Sequence, residues 1–76
     1  MAEILLFGVL AEKAGESVIV VEDISSVDEL IIKVSKRYPS FAKYNFKVSI
    51  NRKLVHENVE IKSNDEIALL PPFAGG

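Results

Sequence analysis

Apolar residues follow one another without a break from Ile4 through Leu5 and Leu6 to Phe7, inside a run that spans residues 3–9. Such a run suits a strand covered on both faces, although length alone leaves a helix open. Residues 9–14 are long enough for one helical turn, which Gly15 would close. Ser17 to Glu22, "SVIVVE", is β-branched and predicts a second strand, joined to the first as a hairpin. Ser26-Val27-Asp28-Glu29 then opens a helix. Ser26 is placed to accept from the Glu29 amide and Glu29 to reach back to the Ser26 amide, the capping-box pattern. Asp28 and Glu29 suit the positive end of the helix dipole, and Lys36 and Arg37 the negative end. Val27, Leu30, Ile31, Val34 and Tyr38 share one stripe at helical spacing. Pro39 stops the helix, because the residue before a proline is driven out of the α region.

Beyond it lie three shorter extended pieces. Phe46, Val48 and Ile50 alternate with Lys47, Ser49 and Asn51, giving one apolar and one wet face. Asn51-Arg52 is a turn into Lys53, Leu54 and Val55. Asn58 and Asn64-Asp65 are turn formers. The last strand, residues 66–70, is again apolar on both sides, and Pro71 ends its ladder. Strand, strand, helix, strand, short strand, strand is an α+β two-layer order, with one main helix on one face of a mixed sheet of about five strands. The expected core is Val20, Leu30, Ile31, Val34, Val48, Ile50 and Leu69. One helix covers only one sheet face, yet Leu5 and Phe7 oppose Ile4 and Leu6, and Ala68 and Leu70 oppose Ile67 and Leu69. Apolar surface is therefore left over on the open face, the usual mark of a partner site. Phe7, Leu54 and Leu70 are the residues expected to bind there.

Composition narrows the chemistry. Seventy-six residues make one small domain, 49% of them apolar, with no cysteine for a disulfide, a thiolate metal site or a thiol nucleophile. A net charge of −2 with both signs scattered gives no basic face for nucleic acid. No apolar run approaches the roughly 18 residues of a membrane span, and no basic leader precedes the first apolar run. A cytoplasmic location is the expectation. His56 stands alone beside Glu57, in the setting of a solvated surface residue. Side chains assemble no Ser-His-Asp spacing, metal cluster or phosphate loop. That leaves the main chain at the end, "PPFAGG". The domain is expected over 1–70, with 71–76 as a projecting tail.

A diglycine end alone reads as an idle tail. Its setting changes the odds. Pro71-Pro72 favours a stiff, extended conformation. Phe73 and Ala74 lead to Gly75 and Gly76, whose bare backbone suits a channel with no space for a Cβ. A carboxylate on such a tether is an acyl group open to activation.

At these residues the chain resembles a known family. The predicted layout is similar to the ubiquitin-like β-grasp fold, and "NDEIALLPPFAGG" resembles the ending of its sulfur-carrier branch. Within that branch it is most similar to the small subunits of molybdopterin synthase (molybdopterin-converting factor subunit 1). Asp65, Glu66, Pro71, Pro72, Gly75 and Gly76 match the family's ending, while "ILLFGVLAEKAG" and "VSINRKLV" resemble its first strand and its middle hairpin. Two positions depart: Ala11 stands where many members carry arginine, and Phe73 where valine is common.

The resemblance implies a sulfur carrier that binds no cofactor of its own and is not catalytic alone. A ubiquitin-activating-like adenylyltransferase would join AMP to Gly76, and a persulfide relay would convert the adenylate to a thiocarboxylate. The tail would then enter the large subunit of molybdopterin synthase, in a heterotetramer of two small and two large subunits, and give sulfur to the pyranopterin precursor. A thiamine-type sulfur carrier usually lacks Pro-Pro before its tail. A ubiquitin-like modifier would share the adenylation but end in an isopeptide bond, and a plain interaction module would use the apolar face and leave the tail idle.

Overall fold

The computed structural model describes residues 2–71. Its elements are strand β1 (Ala2–Leu6), helix α1 (Val9–Ala14), strand β2 (Val18–Val21), helix α2 (Val27–Arg37), a 3₁₀ segment (Pro39–Tyr44), and strands β3 (Lys47–Ile50), β4 (Lys53–Val55) and β5 (Ile67–Leu70). The strands form one sheet in the order β2-β1-β5-β3-β4. β1 and β2 are antiparallel, β5 runs parallel to β1 and antiparallel to β3, and β4 closes a tight hairpin with β3. This is the mixed five-stranded sheet of a β-grasp.

Local chemistry sets the joints. Gly15 takes a left-handed conformation at φ 77° and ends α1, its backbone amide donating a hydrogen bond to Ala11 O. Asn51 and Arg52 both sit at positive φ, 52° and 69°, the two-residue turn that matches the twist of a hairpin. Asn51 also locks that turn to the two residues that lead into β5. Its backbone amide donates to Glu66 O, its side-chain oxygen accepts from the Glu66 amide, and its side-chain amide donates to Asp65 Oδ1.

The start of α2 differs in detail from a capping box. Ser26 Oγ does accept from the Glu29 amide at 3.3 Å. Glu29 Oε1, however, accepts from the amide and hydroxyl of Ser25, at 2.8 and 2.7 Å, and not from Ser26. Ser26 is extended and held in a bridge opposite Glu60, with Val27 N donating to Val59 O and Ile61 N to Ser25 O. Asn58 Oδ1 takes the Asp28 amide at 2.9 Å. Amides with no partner inside the helix are thus satisfied by a segment some thirty residues on.

Ile4, Leu6, Ile19, Val21, Val48, Ile67 and Leu69 from the sheet pack against Leu10, Val27, Leu30, Val34 and Phe41. Leu30, Val34, Val48 and Leu69 are buried as expected, but Val20 and Ile31 are exposed and Ile50 is half-buried. In β2 every residue is β-branched, so composition gives no phase. The pairing of Ile19 with Ile4 turns Ile19 and Val21 inward and Val20 out. Ile31 falls at the margin of the helix stripe, beyond Leu30. Ile50 stands at the hairpin end of the sheet, opposite Lys53.

Phe41 lies in a segment with no readable periodicity. The 3₁₀ turn begun by Pro39 carries it into the core, where it stacks on Tyr38 (centroids 4.9 Å apart) and meets Phe46 edge-on at 6.1 Å. Burying a side chain of this kind contributes roughly 1.5–3 kcal/mol.

Candidate functional site

The strand registers define the open face. Val18, Leu5, Ala68, Ser49 and Leu54 stand in one row across all five strands. Side chains alternate along a strand, so Phe7 and Leu70 project on this same side. Phe7 is 46% exposed, Leu54 50%, and Val18 and Val20 40% and 41%. Ser49 and Ala68, small and almost fully buried, lie between these larger residues.

A groove of about 310 Å³ runs here, lined by Leu5, Phe7, Ser49, Arg52, Glu66, Ala68 and Leu70. Phe7 and Leu70 are therefore brought together as the sequence predicts. Leu54 shares their face from β4, the strand at the far edge. Arg52 Nε and Glu66 Oε1, 3.6 Å apart, pair at the rim, where exposure leaves the ion pair little net stabilisation. Nothing local in the chain marks Val18, Val20, Arg52 or Glu66 as part of this face. Register, which no local pattern encodes, is what places them.

The groove adjoins the root of the tail. β5 ends at Leu70, and half-buried Pro71 is the last described residue. Its Cγ would lie 2.9 Å from a Cβ on Gly8, the residue after Phe7. Gly8 has φ 56° and ψ −133°, outside the left-handed helical region and open in practice only to glycine. The Phe7 amide meanwhile donates to Leu69 O at 3.3 Å. Phe7, Gly8, Leu70 and Pro71 form one unit: the apolar patch starts where the chain leaves the sheet. Pro72, Phe73, Ala74, Gly75 and Gly76 lie outside the described residues.

The shifted carboxylates are structural. Asp65 is held below the usual carboxylate range, first by the Lys62 amide donating to Oδ2 at 2.8 Å and then by the Asn51 side chain. Glu29 is lowered by the two Ser25 donors, with a smaller contribution from Lys33. Neither lines an enclosed reaction site. His56 is exposed, on a hollow shared with Asp28, Val55 and Asn58. Among the described residues no group of His, Asp and Glu is placed to hold a metal ion, and no helix is long and apolar enough to cross a membrane. The geometry offers a partly exposed apolar face that adjoins the end of β5.

The molybdopterin synthase sulfur carrier subunit of Dictyostelium discoideum is 34% identical over 82 residues, covering 97% of this chain and 94% of that one. Among solved structures, SAMP1 from Haloferax volcanii superposes with a TM-score of 0.81 at 24% identity, over 99% of this chain and 98% of its own. A protein assigned as molybdopterin converting factor, subunit 1, from Pyrococcus furiosus gives 0.76 at 21% identity, over 95% and 97%. At these identities the two structures speak for the ubiquitin-like β-grasp fold. The ThiS family model matches residues 4–76, and with a relative this similar along nearly its whole length the chain belongs to the ThiS family.

Proposed function

We propose that this protein is the sulfur carrier of a molybdopterin synthase, with the carboxylate of Gly76 as its working group. The observation that carries the reading is the 34% identity, across 97% of the chain, to a molybdopterin synthase sulfur carrier subunit. The Phe7–Leu70 groove, contiguous with Pro71, supports it as the seat of a large subunit.

The chemistry follows from what a carboxylate lacks. Oxide is a hopeless leaving group, so Gly76 attacks the α-phosphate of ATP, releasing pyrophosphate and forming an acyl adenylate on an activating enzyme. A persulfide sulfur then attacks the acyl carbon and expels AMP. A thiol reduces the resulting acyl disulfide to the thiocarboxylate and is itself oxidised to a disulfide. Ionised at neutral pH, that sulfur is a soft nucleophile. It attacks a carbon of the pyranopterin precursor within the large subunit and displaces an oxygen substituent from that carbon. Water then cleaves the acyl–sulfur bond, returning the carboxylate and leaving a thiol on the precursor. This chain supplies the docking face and the acyl group. Orientation and proton transfers fall to the enzymes that receive the tail, where positioning dominates the rate.

Intact mass tests the reading. Protein incubated with ATP, a ubiquitin-activating-like adenylyltransferase and a persulfide donor should gain the difference between sulfur and oxygen, confined to the C-terminal peptide. It should lose that mass again on conversion of the precursor by the large subunit. A mass that never changes would overturn the proposal.

A further inference from the structure

β2 is an edge strand, and its sequence is a hazard. "SVIVVE" combines β-branched residues with no proline or glycine and a charge only at its end, the composition that pairs readily with another strand. Its outward side can be read from the ladder. Leu6 N donates to Ser17 O at 2.8 Å, which makes Ser17 a hydrogen-bonded partner of Leu6. Antiparallel pairs alternate, so Ile19 and Val21 also bond inward to β1. The amides and carbonyls of Val18 and Val20 then point away from the sheet, toward whatever approaches.

Two cations from α2 occupy that approach. Arg37 Nη1 donates to Val20 O at 2.8 Å. Lys33 Nζ donates to Glu22 O at 2.8 Å and to Asp23 O at 2.9 Å, just past the end of the strand. Arg37 is steadied by the face of Tyr38, 5.4 Å from its guanidinium carbon. This charge-assisted bond to the outward carbonyl of Val20 must be broken before a second strand can use that acceptor. The side chain carrying it also lies where a second strand would have to lie.

We propose that the outer edge of β2 is a strand-addition surface held shut by Arg37 and Lys33, and that its occupant when opened is the same edge of a second copy. Two copies of one edge are self-complementary about a two-fold axis, each offering its Val18 and Val20 groups to the other. The apolar side chains of Val18 and Val20, already 40% and 41% exposed, would extend the paired surface across both open faces. The closed edge keeps β2 from pairing with a further strand, whether or not the groove face carries sulfur chemistry.

The test compares wild type with Lys33→Ala/Arg37→Ala and with Arg37→Met, which keeps the stem while removing the donor. Sedimentation over a wide concentration range should show wild type as one chain and the variants moving toward twice that mass. Amide exchange in the variants should slow at Val18 and Val20 as concentration rises. Adding Val18→Pro, a proline tolerated at the first residue of an edge strand, should restore the single chain. A wild type already paired through β2 would overturn the proposal, as would folded variants that stay single. So would association that survives Val18→Pro, because that would arise from general loosening and not from the edge.

Discussion

A Cβ added to Gly8 would sit 2.9 Å from Cγ of Pro71, so the start of the tail rests against bare backbone after the first strand. The proline ring has little freedom to retreat, and Gly8 already holds a conformation other residues resist. Gly8→Ala should therefore cost about 1–3 kcal/mol in urea unfolding. Pro71→Ala in the same background should return part of that cost, a coupling of about 0.5 kcal/mol or more for residues in contact. Additive effects would mean that Pro71 does not bear on Gly8.

Core truncations should separate the buried stripe from its margin. Leu30→Ala should cost about 2–5 kcal/mol and Phe41→Ala about 3–5, enough to unfold a domain of this size in mild denaturant. Ile31→Ala, at an exposed position, should cost well under about 1 kcal/mol. Denaturant midpoints of the three variants check the order.

The contrast between Leu30 and Phe41 shows what the sequence makes legible. Leu30 and Val34 announce themselves because a capped helix imposes one period on a mixed sequence, and the two-layer fold follows from one such helix among strands. Phe41 does not, since a 3₁₀ turn sets no repeat that a short segment can display. Val20 could not be phased in a strand whose every residue is β-branched. Asn58, which bonds the Asp28 amide, reads locally as a turn former. On the open face, Phe7 and Leu70 were legible because their strands are apolar on both sides. Val18, Arg52 and Glu66 join them through pairing register alone.

Charging the open face should weaken docking and spare the fold. Phe7→Asp or Leu70→Asp should reduce affinity for a molybdopterin synthase large subunit by at least about tenfold, the equivalent of about 1.4 kcal/mol. Leu54→Lys, on the same face but at the far edge strand, should do less. Calorimetric titration and parallel thermal melts read the two effects separately.

Acid should remove what Asp65 and Glu29 contribute. Both carboxylates have folded pKa values below their unfolded ones, so on acidification the unfolded chain takes up protons first. Their stabilisation is complete above the unfolded pKa and fades as pH falls through the folded one. Asp65→Ala and Glu29→Ala should be clearly less stable than wild type at about pH 7, with the gap narrowing toward about pH 3, across the carboxylate range. Urea midpoints over that interval provide the check.

Deleting Gly76 should abolish sulfur transfer without touching stability. The acyl carbon would fall short by one residue, roughly 3.3–3.6 Å, beyond the tolerance of a positioned acyl transfer. Gly75→Val should obstruct the same passage by adding bulk beside the chain end. Equal molybdopterin yield from the shortened protein would show that chemistry does not pass through Gly76.

β5 holds the middle of the sheet, with Ile67–Leu69 paired to β1 on one side and Ile67–Leu70 paired to β3 on the other. A pull on the chain beyond Leu70 runs along that strand and loads both ladders in shear. Their bonds must then give way together, whereas an edge strand pulled outward would peel one bond at a time. On the proposed function, an enzyme that drew the end into its cleft and later let it go could therefore exert appreciable force on it. Toward such an enzyme the protein would behave as a handle and not as a thread.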